Sequence, residues 1–364
     1  MSSSAAMTRP TTERVAVRSR WVVLARAVAA GWSLVYLVLG IGWLAGARGN
    51  PADPAVDQAA VLNLLGMLGP TAGAATLTVL AAAGVVLTVF ISRRHRSART
   101  DRIVGTVAVA LGLVLAVAIP DSRVLQSLGY APMVLVLAVT GQLPEGAEVM
   151  NWGMANLLIL TAAGVAWAGV GAARLTAAYR STGRPGWTRP ESVARWGNWV
   201  TWIAMAVPLG YAVTRYAWAL GIPLGLTQET FEDVRQIAGI GAVLATGGVL
   251  GAFLTWGLTR PWGAVFPRWA PGVGGRRVPV ALAVVPAGAV AAAVTSAGLM
   301  FVRVAIDGRL ADFFPVGMDD VAGWLPEMFW PLWGVALGAA TLAYVLRRID
   351  EDTDQRPGRT SPLS

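Results

Sequence analysis

Few residues of this sequence combine a reactive or charged side chain with an unusual position. Arg215 lies well inside an apolar run, and two Leu-Pro-Glu elements end in Glu145 and Glu327. Asp121 directly follows another apolar run, and Pro208 interrupts a run and frees a backbone carbonyl there. A charged group in an apolar stretch is a candidate for ion binding or proton relay, since it must find a partner or reach water. These five are the candidate functional residues.

Arg215 has two interpretations. It lies 20 residues after Arg195, which is about 30 Å along a helix and therefore one hydrocarbon thickness. We expect its side chain to reach an outer membrane interface beside Tyr216 and Trp218. The alternative is a buried partner, either an anion or a carboxylate.

The Leu-Pro-Glu elements also have a structural and a functional interpretation. Proline at a helix entry places the following carboxylate in the first turn, where the helix dipole favours it. Alternatively, Glu145 and Glu327 face one another at an outer mouth and bind a cation or relay protons. Asp121 either contributes to the same site or pairs with Arg123. A kink at Pro208 either offers its freed carbonyl to a substrate or only bends the helix.

The composition excludes several kinds of site. The chain has no cysteine and one histidine, His95, which lies in a basic run. Cysteine-ligated and histidine-clustered metal sites are therefore excluded within one chain. Lysine is absent too, which excludes a phosphate-binding loop ending in lysine. We expect no catalytic residue, no metal and no cofactor, and the sequence favours a protein that is not an enzyme.

Hydropathy indicates a polytopic membrane protein. Of 364 residues, 55% are hydrophobic and only 13% are charged, about half the charged share of a soluble domain. The first stretch resembles an uncleaved span more than a signal peptide, because it is long. Eight stretches approach the length of a membrane helix: Trp21 to Gly46, Thr71 to Ile91, Ile103 to Ile119, Asn151 to Ala173, Gly197 to Leu220, Ile237 to Leu258, Val278 to Met300 and Met328 to Leu346.

The arginines predict the orientation. The net charge of +9 comes from 29 basic residues, all arginine; most of them lie between the spans and so do not predict a nucleic-acid partner. With a cytoplasmic N-terminus, 22 arginines fall inside and five outside. Because cytoplasmic loops are enriched in arginine, both termini are predicted to be cytoplasmic. A ninth apolar stretch, Val124 to Gly141, then begins and ends outside, and we interpret it as re-entrant or interfacial.

The sequence also matches itself. At an offset of 175 residues Tyr36 and Trp43 meet Tyr211 and Trp218, and at an offset of 167 Arg93 meets Arg260. These matches predict two parallel four-helix repeats. The predicted organisation is a cytoplasmic tail over 1–20, a first repeat over 21–180, a second over 181–346 and a disordered cytoplasmic tail over 347–364. The fold class is thus all-α, with about eight transmembrane helices and one outer segment.

The helix around Arg215 resembles a known pattern. Pro208, Tyr211, Arg215, Trp218 and Gly221 form a Pro-x-x-Tyr, basic residue, Trp-Ala-x-Gly arrangement that is similar to one in a family of actinobacterial multi-pass membrane proteins. The resemblance covers this one helix, and the first repeat departs from it with serine and glycine in place of Pro208 and Arg215. It implies a lineage and a membrane location, and it attaches no function.

Two functions are open at this point. The first is a small-molecule or ion permease of the cytoplasmic membrane, which fold-level analogy suggests. The second is a non-catalytic scaffold or regulatory partner of another membrane protein. The expected partners are the lipid bilayer and either such a protein or a second copy of the chain. A permease predicts a polar cavity between the repeats, whereas a partner protein predicts a packed seam and an exposed apolar groove.

Overall fold

The fold is helical and falls into two units. In a computed structural model of the protein, the residues described are 9–93, 97–143, 150–309, 317 and 319–354. Within these residues all regular structure is helical, apart from one antiparallel bridge between Val265 and Arg277. The chain divides into unit 1, Met1–Arg184, and unit 2, Pro185–Ser364. The sequence placed this boundary after residue 180.

In unit 1, α1 packs on α3 and α6, and α4 packs on α6. The backbone of α4 continues through a wider turn at Val114–Ala118 before it ends. The helices of this unit are α1 (Arg9–Leu44), α2 (Leu64–Met67), α3 (Pro70–Ser92), α4 (Ala98–Leu113), α5 (Ser122–Val139) and α6 (Trp152–Thr182).

In unit 2, α7 packs on α9 and α12, and α10 packs on α12. The order of packing partners along the chain is therefore the same as in unit 1. The helices of this unit are α7 (Pro190–Ala219), α8 (Gln228–Arg235), α9 (Ala238–Gly257), α10 (Val280–Ile306), α11 (Val321–Met328) and α12 (Trp330–Asp354).

Each unit has one end rich in arginine and one rich in carboxylates. At the arginine end the first and third long helices begin and the second and fourth end, and Arg93, Arg174, Arg260 and Arg347 lie there. At the acidic end lie Asp57 and Asp121 of unit 1 and Asp320 and Glu327 of unit 2. These two names are used below for both units.

Among the described residues, seven helices are long and apolar enough to cross a membrane, and the prediction of an all-α polytopic membrane protein with about eight helices is confirmed. Helix α7, which contains the predicted fifth span, is not among them, since its Trp, Tyr, Asn and Pro residues lower its hydropathy. The seven are Trp21–Leu44, Pro70–Ser92, Ala98–Ala118, Trp152–Tyr179, Ala238–Gly257, Val280–Ile306 and Val321–Glu351.

Helix α5 covers most of the stretch that we interpreted as re-entrant or interfacial. It is bent by 48° between Ser122–Ala131 and Met133–Val139, around a proline that removes one backbone donor from the ladder. Such a bend is typical both of a broken span and of a re-entrant segment. The re-entrant or interfacial placement of Val124 to Gly141 therefore stays a prediction.

Glycines bring two helices of unit 1 into backbone contact. A Cβ atom built on Gly112 of α4 would lie 2.5 Å from the carbonyl oxygen of Gly164 in α6, and the reverse holds for Gly164. Gly105 and Gly171 form a second pair one heptad away. Small residues at such crossings let helices in a membrane approach closely, so these four positions fix the packing of α4 on α6.

The glycines of α9 make no such close contacts with another long helix. A Cβ atom at Gly247 or Gly251 would meet no atom within 4 Å, and at Gly241 or Gly248 it would make ordinary contacts of 3.7 Å. The composition of a helix does not reveal which of its faces touches a neighbour. The glycines of α9 are therefore not required by helix contact.

Candidate functional site

Arg215 is buried inside unit 2, so the prediction that it reaches an interface is wrong. Only 8% of the residue is exposed. Its Nη2 donates to Oε1 of Glu327 at 2.7 Å, and its Nη1 donates to the carbonyl oxygen of Ala322 at 3.0 Å. The alternative interpretation, a buried carboxylate partner, is what the structure places there. A charged hydrogen bond of this length compensates part of the cost of burying both ions.

Two aromatic rings of the same helix enclose the Arg215 guanidinium. Its central carbon lies 4.3 Å from the ring centre of Tyr211 and 4.2 Å from that of Trp218. These residues are four positions before and three positions after Arg215, and such spacings put side chains on one face of a helix. Cation–π attraction from two rings stabilises a desolvated guanidinium further. The Pro-x-x-Tyr, Arg, Trp pattern thus places two aromatic rings around the guanidinium of its own arginine.

Glu327 lies at the end of a short helix rather than at the start of one. Helix α11 begins at Val321 and contains Pro326, so Glu327 falls in its last turn. The expected stabilisation by the N-terminal end of a helix is therefore wrong for this element, and Arg215 supplies the compensating charge instead. Glu327 is 4% exposed, and its second oxygen, Oε2, is buried with no hydrogen-bond partner in the described residues.

The other Leu-Pro-Glu element lies outside the described residues, because residues 144–149 are not among them. The predicted approach of Glu145 to Glu327 stays a prediction. A tryptophan follows each of the two elements, Trp152 and Trp330, and the two have different contacts. Trp152 donates to the carbonyl oxygen of Gly49, whereas the ring of Trp330 packs edge-on against Tyr211.

Asp320 joins the segments at the acidic end of unit 2. It is 1% exposed and accepts hydrogen bonds from Thr227, from the Thr230 hydroxyl and from the Gly317 backbone, at 2.6 to 2.9 Å. Burial acts to raise the pKa of this carboxyl, but these hydrogen bonds outweigh it and the pKa lies below its usual value. The ionised Asp320 side chain thus links α8 to α11 through hydrogen bonds.

Asp121 and Arg123 pair with each other in unit 1, as one of the two interpretations expected. Arg123 Nη2 lies 2.7 Å from Asp121 Oδ2, and its Nη1 donates to both oxygens of Asp57. Both carboxylates are buried, and Gly153 of α6 leaves room for Asp57. The sequence analysis did not identify Asp57, because no local pattern links it to Arg123. This cluster ties the α1–α3 connection to the start of α5.

Pro208 occupies a packing position. Helix α7 continues through it without interruption, and Pro208 is buried. A Cβ atom built on Gly248 of α9 would lie 3.7 Å from the Pro208 ring. Pro208 therefore faces α9, and it lines neither of the two cavities described below.

A cleft of about 640 Å³ opens at the arginine end of unit 2. We call it the α9–α10 cleft. It lies between α9 and α10, with α12 behind it and the connection 258–279 across one end. Its lining is almost wholly apolar and includes Phe253, Trp262, Phe266, Trp269, Leu282 and Trp333. Several of these side chains are exposed, and the sequence analysis missed the site. The aromatic residues between Arg260 and Arg276 were the available signal.

The connection 258–279 is held in place by the end of α12. Arg347 donates to the carbonyl oxygen of Leu258, and Arg348 donates to those of Ala264 and Val278 at 3.0 Å. The Tyr344 hydroxyl donates to the Gly263 carbonyl at 2.9 Å. Side chains that satisfy buried carbonyls in this way fix the loop against the helix. The cleft is therefore preformed in this unit.

The cleft follows from the length of that connection. In unit 1 the corresponding helices are joined by the short segment 93–97, and α3 contacts α4. In unit 2 the connection runs from 258 to 279, and Trp262 stacks on Phe253 with their ring centres 5.2 Å apart. Gly257 makes this possible, since a Cβ atom there would collide with the Trp262 ring.

The described residues contain no group of three histidine, cysteine, aspartate or glutamate side chains that could hold a metal ion. Comparison with known proteins adds no assignment, since no family model, no curated protein and no solved structure matches the chain. The apolar helices show an integral membrane protein, and any finer function has to be argued from the geometry above.

Proposed function

We propose that this protein binds the apolar chain of a bilayer amphiphile in the α9–α10 cleft, as a non-catalytic component of the membrane. The observation that carries this proposal is the preformed cleft itself, with its volume of about 640 Å³ and its apolar, aromatic lining. Ligand pockets of several hundred cubic ångströms with apolar walls are typical of small-molecule sites. An exposed apolar groove is also what the scaffold or regulatory interpretation expects.

The positive charge beside the cleft favours an amphiphile with an anionic headgroup. The connection 258–279 contains Arg260, Arg268, Arg276 and Arg277 and has no aspartate or glutamate. Arg268 is exposed and directly adjoins the lining residues Pro267 and Trp269. Arginines beside an apolar site attract anionic headgroups. The occupant is therefore an amphiphile with one acyl-like or isoprenoid-like chain in the cleft and an anionic head at these arginines.

We propose that the arginine end, and with it this site, faces the cytoplasm. The enrichment of arginine at that end supports this orientation and cytoplasmic termini. We also propose that the two units are repeats in an actinobacterial membrane family. The same packing order supports a duplication, and so does one shared contact: Arg174 donates to the carbonyl oxygen of Ile91, as Arg347 does to that of Leu258.

Permeation of an ion or a small molecule is the second candidate function. It is favoured by Glu327 Oε2, a buried carboxylate oxygen with no partner in the described residues. Such an oxygen is an acceptor for a proton or a cation beside the acidic end. In the described structure, Arg215 and Glu327 lie among packed side chains and line neither cavity. The apolar cleft is the better supported site for that reason.

Photolabelling tests the proposed function. Purified full-length protein in vesicles of phosphatidylcholine is mixed with phosphatidylglycerol that carries a diazirine on its acyl chain, and the labelled residues are identified by mass spectrometry. We expect labels concentrated on α9, α10 and the connection 258–279. The variant Ala287→Phe fills the cleft, whereas Ala289→Phe adds the same side chain two residues away, at an exposed position outside the lining.

We expect Ala287→Phe to reduce labelling of the cleft at least fivefold and Ala289→Phe to leave it unchanged. An equal spread of labels over all exposed apolar helices would contradict the proposal, and so would equal labelling of the two variants. Uptake of a solute by vesicles that depends on Glu327 but not on Ala287 would favour permeation instead.

A further inference from the structure

A second cavity lies at the arginine end of unit 1. It has a volume of about 80 Å³ and is lined by Arg26 and Ala29 of α1, Thr88, Ile91 and Ser92 of α3, and Trp167 and Val170 of α6. One water molecule needs roughly 10–15 Å³ of such space. The cavity is therefore large enough for a small polyatomic ion.

Two buried hydrogen-bond donors without partners lie near this cavity, one on the lining residue Trp167 and one on Arg174, which binds the carbonyl of the lining residue Ile91. Trp167 is 1% exposed, and its Nε1 has no partner in the described residues. The Nε of Arg174 is also buried without a partner. Buried donors normally find an acceptor, because leaving one unpaired destabilises the folded protein. Two unpaired donors in the same region indicate a missing acceptor.

The other polar groups at the cavity have partners already. The Thr88 hydroxyl donates to the Gly84 carbonyl at 2.9 Å, and the Ser92 hydroxyl donates to the Thr88 carbonyl at 2.9 Å. The Ile91 carbonyl oxygen, which would repel an anion, accepts Arg174 Nη2 at 2.6 Å. No lining residue is acidic. The donors therefore point to a ligand that is not a cation.

The charge balance also favours an anion. Asp101 compensates Arg174, with Nη1 and Oδ1 at 3.3 Å, and Arg26 has no hydrogen bond or ion pair in the described residues. Arg26 is exposed, and its guanidinium and the unpaired Trp167 indole thus belong to residues that line the same cavity.

We infer that this cavity of unit 1 binds a phosphate-class oxyanion, held directly by the Arg26 guanidinium and by Trp167 Nε1. The phosphate belongs either to an anionic lipid headgroup or to a free oxyanion from solution, since both present the same tetrahedral acceptors. Arg174 acts as a positioning residue that covers the Ile91 carbonyl. The site is separate from the α9–α10 cleft and does not depend on the function proposed for it.

Binding measurements on four proteins test this site. The full chain in an uncharged maltoside detergent is titrated with inorganic phosphate and, separately, with short-chain phosphatidylglycerol, and the Kd is obtained from the rise in Tm. The variants are Arg26→Gln, Trp167→Phe and, as a control, Arg99→Gln, an exposed arginine at the same end of unit 1. Trp167→Phe keeps an aromatic ring and removes only the donor-bearing part.

We expect Arg26→Gln to weaken binding at least tenfold, Trp167→Phe to weaken it about fivefold and Arg99→Gln to change it less than twofold, since charge-assisted hydrogen bonds carry most of such an affinity. If only phosphatidylglycerol shows this dependence, the ligand is a lipid headgroup. If inorganic phosphate shows it as well, a free oxyanion is sufficient. The inference is overturned if neither probe distinguishes Arg26→Gln from Arg99→Gln, or if Trp167→Phe binds as the wild type does.

Discussion

Breaking the ion pair between Arg215 and Glu327 is expected to destabilise unit 2 far more than its single short contact suggests. Both residues are more than nine-tenths buried, and their closest atoms are 2.7 Å apart. Removing one partner leaves the other charge buried without compensation, which typically costs about 3–5 kcal/mol. For Glu327→Leu we expect the lower end, about 3 kcal/mol, because Tyr211 and Trp218 still stabilise the Arg215 cation.

For Arg215→Met we expect about 4–5 kcal/mol, since the remaining Glu327 carboxylate has no aromatic ring to stabilise it and one of its oxygens already lacks a partner. The double variant Arg215→Met/Glu327→Leu leaves no buried charge. It should therefore cost less than the sum of the single variants by about 2–3 kcal/mol. The assay is reversible unfolding of the purified protein in mixed micelles, with the free energy of unfolding extrapolated to zero denaturing detergent.

The exposed ion pair between Arg235 and Glu232, 3.7 Å apart, supplies the control. Glu232→Gln should change the free energy of unfolding by less than about 0.5 kcal/mol, because solvent-exposed pairs contribute little. Strictly additive effects of Arg215→Met and Glu327→Leu would refute the reasoning. They would mean that the two side chains do not compensate each other in the membrane protein.

Two further predictions concern packing and pH. Gly112→Ala should destabilise the protein by about 1–3 kcal/mol in the same unfolding assay, because the new Cβ atom meets the Gly164 carbonyl. Gly247→Ala is the control and should be neutral or stabilising, because its Cβ atom meets no neighbouring atom. Equal effects of the two variants would contradict this account of the packing of α4 on α6. Hydrogen bonds hold the pKa of Asp320 below its usual value. The ionised carboxylate therefore stabilises the folded protein at neutral pH, and this stabilisation is lost as pH falls through about 4 and below. Asp320→Asn should therefore remove part of the acid-induced loss of Tm. An unchanged dependence of Tm on pH would show that the Asp320 carboxylate does not stabilise the contact between α8 and α11.

The candidate residues show how far sequence reasoning reached. The apolar surroundings of Arg215 identified it as a residue that needs an explanation, and the Leu-Pro-Glu element identified Glu327. That the two are partners was not predicted, because 112 positions separate them along the chain. The expected match was between Glu145 and Glu327, which rested on symmetry between repeats. The structure pairs Glu327 with an arginine of its own unit, and the approach of Glu145 to Glu327 stays a prediction.

The cavities were less accessible to sequence reasoning. The α9–α10 cleft depends on the length of the connection 258–279 and on the stacking of Trp262 on Phe253. The cavity beside Arg26 depends on three helices that bring Trp167 next to an arginine of α1. Neither set of residues forms a local motif. Each site is a consequence of which helix faces meet.

The sequence by itself determined that this is an all-α membrane protein, because hydropathy and helix length are local properties. A segment that is apolar and long enough to cross the bilayer must satisfy its backbone hydrogen bonds as a helix. It also singled out Arg215, since charge inside apolar sequence is rare and costly, and Glu327, since it ends a Leu-Pro-Glu element. Only the tertiary structure decided that these two compensate each other and that Asp57 joins Asp121 and Arg123. It also decided where the two cavities lie. Contacts between distant segments depend on how helices pack, and hydropathy does not encode which faces of the helices meet.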